Sequence, residues 1–341
     1  MTKLRVAVIG CGSIAKYRHL GEYDSHSAVE IVAVCDIVEE RAQEAADQYG
    51  ATAYTDYKKL LEVENVDAVS VCLPNYLHAP VSIAALEAGC HVLCEKPMAT
   101  SKEEAEAMIA AAKSNDKKLM IAHNQRFVPS HARARALIAS GEIGKIYSFR
   151  TAFGHGGPEG WSVDGKDSWF FNKEQAFIGA MGDLGVHKAD LLRYLLGEEF
   201  VEVAGFIETS AKENSDVDDN AVCILKSESG VIGTLAASWA YTAKEDNSTI
   251  IYGEHATLRL EDDPDYSLIV QYKNGEVVNY ALGAIQSNAE GGQTTTHVIN
   301  HFIESIVQNT EPLINGEEGM KSLDVILAAL ASMETKQISK I

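Results

Sequence analysis

Positive charge is scarce in this 341-residue chain: 29 Lys and Arg stand against 49 Asp and Glu, a net charge of −20 at neutral pH. A surface of that sign repels phosphate backbones and anionic lipid, which argues against nucleic acid and membrane as partners. Long apolar runs are lacking too. They stay strand-sized, against the ~20 residues that a membrane helix needs. The six cysteines, Cys11, Cys35, Cys72, Cys90, Cys94 and Cys223, form no C-x-x-C pair, and no histidine stands at zinc-finger spacing. Lying in or beside apolar runs, they predict buried reduced thiols and no metal site. The N-terminal stretch does not read as a signal peptide, because "LRVAVIGCG" enters a glycine turn that cleavage would destroy. A cytoplasmic protein is expected.

What is present is alternation. At roughly 150 residues per domain the length suits two domains. From residue 4 to about 123, β-branched runs ("LRVAVIG", "VEIVAVCD", "DAVSVCLP", "HVLCEK", "KLMIAH") alternate with stretches of helical spacing. Runs apolar at consecutive positions are strands covered on both faces, and their alternation with helices predicts a parallel, doubly wound sheet. After the first strand, Gly10, Gly12 and Ala15 form G-x-G-x-x-A. The first glycine makes a tight turn, the second admits a pyrophosphate, and the small third residue permits close helix packing. The phosphates would sit on the helix that begins near Ser13 and Ile14. Asp36 ends the second strand, where a carboxylate accepts hydrogen bonds from an adenosine ribose. It would repel a 2′-phosphate and Ile37 offers no compensating charge, so NAD is expected over NADP; Arg41 is the nearby cation that opposes this preference.

Ligands of such sheets bind outside the carboxyl ends of the strands. Those ends read "LPNYLH" (73–78), "CEKP" (94–97) and "HNQRF" (123–127). With the glycine turn, this set resembles the Gfo/Idh/MocA oxidoreductases over essentially the whole chain, and Glu95-Lys96-Pro97 is its most specific part. The resemblance implies NAD as cofactor and a secondary hydroxyl of a sugar, sugar derivative or cyclitol as substrate. It implies that Lys96 stabilises the alkoxide that develops as hydride leaves. Glu95 would pair with Lys96 or with ribose hydroxyls, and Pro97 would aim the lysine, through a cis bond if one forms. Leu73, Pro74, Asn75, His78 and Asn124 would line the cofactor.

Beyond residue 124 the pattern changes to a helix and then long strands joined by short turns such as "KSESG" and "KNGE". The expected fold class is α/β: an N-terminal Rossmann domain (1–123) and a C-terminal α+β domain (124–341) with a large, mostly antiparallel open sheet. In the resembling family the free face of that sheet joins subunits, implying a homodimer or homotetramer. A final helix is expected to pack back on the first domain. "GAMGDLGVHKADLLRYLLG" has helical spacing, so Asp183 lies one turn before His187 and is expected to hold its ring, readying it as a base. Asp183, Gly185 and His187 match the family's D-x-G-x-H. Departures are Ile178-Gly179 in place of paired glycines, Gly182 in place of a larger aliphatic, and Lys188 where an apolar residue is common. The stretch 154–169 reads equally as a cover over the substrate or as a surface loop, Trp169 is counted among the cofactor-lining residues, and His297 is a weaker substrate candidate. Two alternatives to a dehydrogenase stay open: an NAD-dependent glycosidase of the same fold, and a non-catalytic sensor of NAD or sugar.

Overall fold

The computed structural model describes residues 3–283, 285–287 and 296–341. Its first sheet is wholly parallel, with strands β1 (Leu4–Ile9), β2 (Val29–Cys35), β3 (Thr52–Tyr54), β4 (Ala68–Val71), β5 (His91–Cys94) and β6 (Leu119–Ile121) in the order 3-2-1-4-5-6. β1 to β6 are the predicted strands with one addition, β3, whose three residues are too few for a legible pattern. Because β1 pairs with both β2 and β4, the chain direction of the connections reverses at β1 and β4, and a crevice opens at their carboxyl ends. Gly10 closes β1 there with φ of +94°, and a Cβ on it would lie 2.2 Å from the Cys72 carbonyl oxygen, so only glycine fits.

The second sheet has nine strands: β7 (Ile146–Gly154), β8 (Phe200–Glu208), β9 (Asn220–Ser227), β10 (Ile232–Ser238), β11 (Thr249–Gly253), β12 (Ala256–Leu260), β13 (Leu268–Tyr272), β14 (Val277–Tyr280) and β15 (Ser339–Lys340). It is antiparallel except where β7 and β10 run together. One face buries Phe149, Leu235, Leu258 and Val270 in one apolar cluster with Leu191, Leu192 and Leu195 of the helix Val186–Leu196 and with Ala134 and Leu137 of the helix Pro129–Ala139. The other leaves Phe206, Val222, Ile224 and Ile232 exposed.

The boundary at residue 124 does not divide the cores. Val298, Ile299, Phe302 and Ile303, on the helix Val298–Val307, lie in one apolar cluster with Val6, Leu20 and Tyr23 of the first domain. At roughly 1.5–3 kcal/mol per large apolar side chain removed from water, that packing is a substantial tie. The helix Gly316–Thr335 spans both: Leu323 joins the first domain's cluster, while Val325, Ile326 and Ala329 join the second's. Charge adds to the tie. Arg126, just after β6, grips Asp190 through two bonds of 2.9 and 2.7 Å and reaches Glu318 at 2.9 Å. Such buried forks fix geometry more than they add net stability. Here they set the helix Val186–Leu196 against the strand ends of the first sheet.

Candidate active site

A cavity of about 400 Å³ runs along the crevice between the domains. Lys96, Asp183, His187 and the residues named above as touching the cofactor line it; Ala15, Gly185 and His297 do not. His297 is exposed, in a left-handed conformation ahead of the helix Val298–Val307, because it turns the chain into that helix. Gly12 lines the cavity with open space around the position of a Cβ, which leaves the backbone accessible to a pyrophosphate. Asp36 accepts from the Cys11 and Val38 amides, both at 2.9 Å, which holds its carboxylate at the mouth of β2. These features fit NAD.

At the other end Lys96, after β5, reaches across the crevice. Its Nζ donates to the Asp183 carboxylate at 2.7 Å and to the Asp183 carbonyl at 3.0 Å. The Trp239 indole donates to the second Asp183 oxygen at 3.2 Å. The expected pairing of Asp183 with His187 is therefore corrected: Asp183 holds Lys96. Met181–Gly185 winds as a π-helical turn, which shifts the four-apart stacking of an α-helix, and an ammonium is a stronger partner for a carboxylate than a neutral ring. The His187 Nδ1 is buried with no hydrogen-bond partner among the described residues. Burial first, then the nearby Lys96 charge, lowers the His187 pKa well below that of an ordinary histidine, so the ring is neutral.

Asp218 holds this turn in place. Its carboxylate accepts from the Gly179 amide at 2.7 Å and the Met181 amide at 2.8 Å. Burial raises its pKa to about 6, partly offset by those two amides.

Glu95 is the second correction. It does not pair with the Lys96 ammonium, but accepts from Arg18 and contacts the His19 Nε2 at 2.8 Å, because the helix after the glycine turn carries both basic groups beneath β5. His78 lines the cavity at the start of the helix His78–Glu87; its Nδ1 lies 2.7 Å from the Pro97 carbonyl and its Nε2 2.7 Å from that of Leu73, so the ring also ties two strand ends together. The Lys96–Pro97 bond is cis. Asn75 donates to the Ala176 carbonyl at 2.8 Å across the crevice, and Trp169 stacks on Phe170.

Several lining residues were not foreseen. His155 accepts from the Gly157 amide at its Nδ1, at 3.0 Å, so its neutral form carries the proton on Nε2. Gln125 donates to Asn247 at 3.1 Å and puts two amides at the substrate end. Both follow strand ends, the one signal that could have singled them out. The stretch 154–169 reaches further than expected, over the cofactor turn: Ser13 Oγ donates to the Trp161 carbonyl and accepts from the Val163 amide, both at 3.0 Å. All six cysteines are free and buried. Among the described residues no cluster of metal-ligating side chains exists and no helix is long and apolar enough to cross a membrane.

Comparison with known proteins gives the same frame. The family model described as oxidoreductase family, NAD-binding Rossmann fold, matches residues 4–123, and that of the GFO/IDH/MocA C-terminal domain matches 131–259. Levoglucosan dehydrogenase of Pseudarthrobacter phenanthrenivorans is 31% identical over 280 residues, covering 75% of this chain and 68% of that protein. Myo-inositol 2-dehydrogenase of Thermotoga maritima is 26% identical over 343 residues, 99% of this chain and 98% of that one. A levoglucosan dehydrogenase solved with NADH and levoglucosan superposes with a TM-score of 0.85 at 27% identity, covering 100% of this chain and 99% of that one.

Proposed function

The chain belongs to the GFO/IDH/MocA family of NAD-dependent oxidoreductases, and on that premise we propose that Lys96, Asp183 and His187 oxidise a secondary hydroxyl of a sugar, sugar derivative or cyclitol. The observation that carries this is the 2.7 Å bond between Lys96 and Asp183, which joins the two domains beside His187 in one cavity. The glycine turn, Asp36 and the ends of β4 and β5 would hold NAD, whose nicotinamide supplies the hydride acceptor. The neutral His187 takes the hydroxyl proton through Nε2, the ring nitrogen not sealed in the interior. The Lys96 ammonium faces the alkoxide left behind, and its hold on Asp183 keeps it there without reorganisation. Loss of one proton and one hydride from the carbinol turns it into a ketone, and reduction is the reverse. Gln125, Asn247 and His155 offer donors and acceptors to further hydroxyls, which supports a polyhydroxylated substrate.

A panel of sugars, anhydrosugars, sugar acids and inositols with NAD⁺, followed by appearance of reduced nicotinamide, tests the reading. Turnover with at least one is expected; release of an aglycone with no net reduction would replace it with the glycosidase reading. Two finer assignments accompany it. The apolar face carrying Phe206 opposite Val222, with Ile224 and Ile232 alongside, is assigned to a second copy of the chain, which light scattering would register as a dimer or tetramer. The six free thiols support a reducing, cytoplasmic setting.

A further inference from the structure

Arg41 stands on the first turn of the helix Glu39–Tyr49, directly after β2, and lines the cavity together with Asp36. In a sheet of this order the adenosine ribose lies at that strand end, so the guanidinium is placed where a 2′-phosphate would sit. Left free, it would be a fork suited to phosphate. It is taken by Asp164, 123 residues later in the chain, which accepts from both terminal nitrogens, Nη1 at 3.5 Å and Nη2 more closely. The segment that delivers Asp164 is fixed by the Ser13 hydroxyl, which bonds Trp161 and Val163 on the same strap. Lys16, the cation on the neighbouring helix, is also engaged, with Glu44 at 2.8 Å.

We propose that Asp164, a residue of the second domain, is a cofactor-specificity determinant: by occupying Arg41 it removes the cation that would accept a 2′-phosphate and so enforces NAD over NADP. The charges facing that position are Arg41 (+1), Asp36 (−1) and Asp164 (−1), a net of −1 that rejects a dianion. Without Asp164 the net is zero and the fork is open. Specificity for the adenosine end thus comes from both domains.

The test is equilibrium binding of NADH and NADPH to the purified full chain, read by nicotinamide fluorescence, which needs no sugar substrate and stands apart from the proposed reaction. Asp164→Asn keeps shape and removes charge. It should tighten NADPH about five- to tenfold, in line with one partly exposed charge contact, and move NADH less than about twofold. Arg41→Ala in the Asp164→Asn background should abolish the gain. An unchanged NADH to NADPH ratio in Asp164→Asn, an equal loss of both cofactors, or a gain that survives Arg41→Ala would each overturn the proposal. So would a wild-type chain that binds NADPH as tightly as NADH.

Discussion

The two ends of the cavity each hold a cation against a carboxylate from the other domain, yet in different surroundings. Lys96 and Asp183 have side chains 15% and 7% exposed, whereas Arg41 and Asp164 are 28% and 34% exposed. Attraction between charges grows as water is removed, and so does the cost of leaving one partner alone. On the proposed reading the buried pair serves the chemistry and the half-exposed pair selects the cofactor. Changes at the first end should reach the barrier of the reaction; those at the second should shift binding by small factors.

The largest effect expected is at Lys96. Lys96→Met should lower turnover by about 10²- to 10³-fold, the loss of one preorganised donor at a developing oxyanion, about 3–4 kcal/mol. Asp183→Asn should cost less, and the double variant should be little worse than Lys96→Met, because Asp183 acts through Lys96. Steady-state rates with NAD⁺ and the best sugar of the panel decide it. If the two losses multiply, Asp183 has an independent task and the pairing in the structure is not the working one.

That pairing marks where sequence reading ends. The glycine turn, Asp36 and E-K-P were legible because each lies within one strand and its turn, and all line the cavity. The parallel, doubly wound sheet followed from the alternation of apolar runs with helices, whereas its order 3-2-1-4-5-6 is visible only in the structure. Partners across long separations were not legible. Lys96 meets Asp183 87 residues away, and Glu95 meets His19 76 residues away; side chains nearer in sequence offered competing choices. The π-helical turn at Met181–Gly185 has no local signature that separates it from an α-helix, so the four-apart rule assigned Asp183 to the wrong partner. "VINHFIESIV" announces an amphipathic helix, but nothing in its spacing says that Phe302 fills the first domain's core. Lys188 was noted as a departure from the family pattern and is fully buried, with its Nζ donating to the Asn247 carbonyl at 2.7 Å.

Lys188 separates burial from position in the crevice. Desolvation lowers its pKa to about 7, with Glu261, Asp246 and Glu245 opposing the shift. An unfolded lysine titrates near 10.4, so between about pH 7 and 10.4 the unfolded chain binds more protons than the native one. The contribution of this group to stability then rises with pH across that window, by up to ~1.4 kcal/mol per unit. Lys188→Met should flatten the rise in urea midpoints measured at pH 7, 8 and 9. Identical slopes in the two proteins would show that Lys188 keeps its proton throughout, and that burial alone does not set the size of these effects.

The smallest effect belongs to the strap. Ser13 is nearly buried, but its hydroxyl makes ordinary neutral hydrogen bonds to Trp161 and Val163, each worth about 0.5–1.5 kcal/mol. Ser13→Ala should loosen the strap's hold on the cofactor turn and speed NADH dissociation about two- to tenfold in stopped-flow displacement. The rate of hydride transfer in a single turnover should stay within about twofold, since Lys96, Asp183 and His187 keep their own contacts at the far end. A fall in that rate comparable to the Lys96→Met loss would mean that the strap governs the chemical end as well, and the division between a buried catalytic pair and an exposed selecting pair would fail. An unchanged dissociation rate would break it from the other side, by removing the strap from cofactor retention.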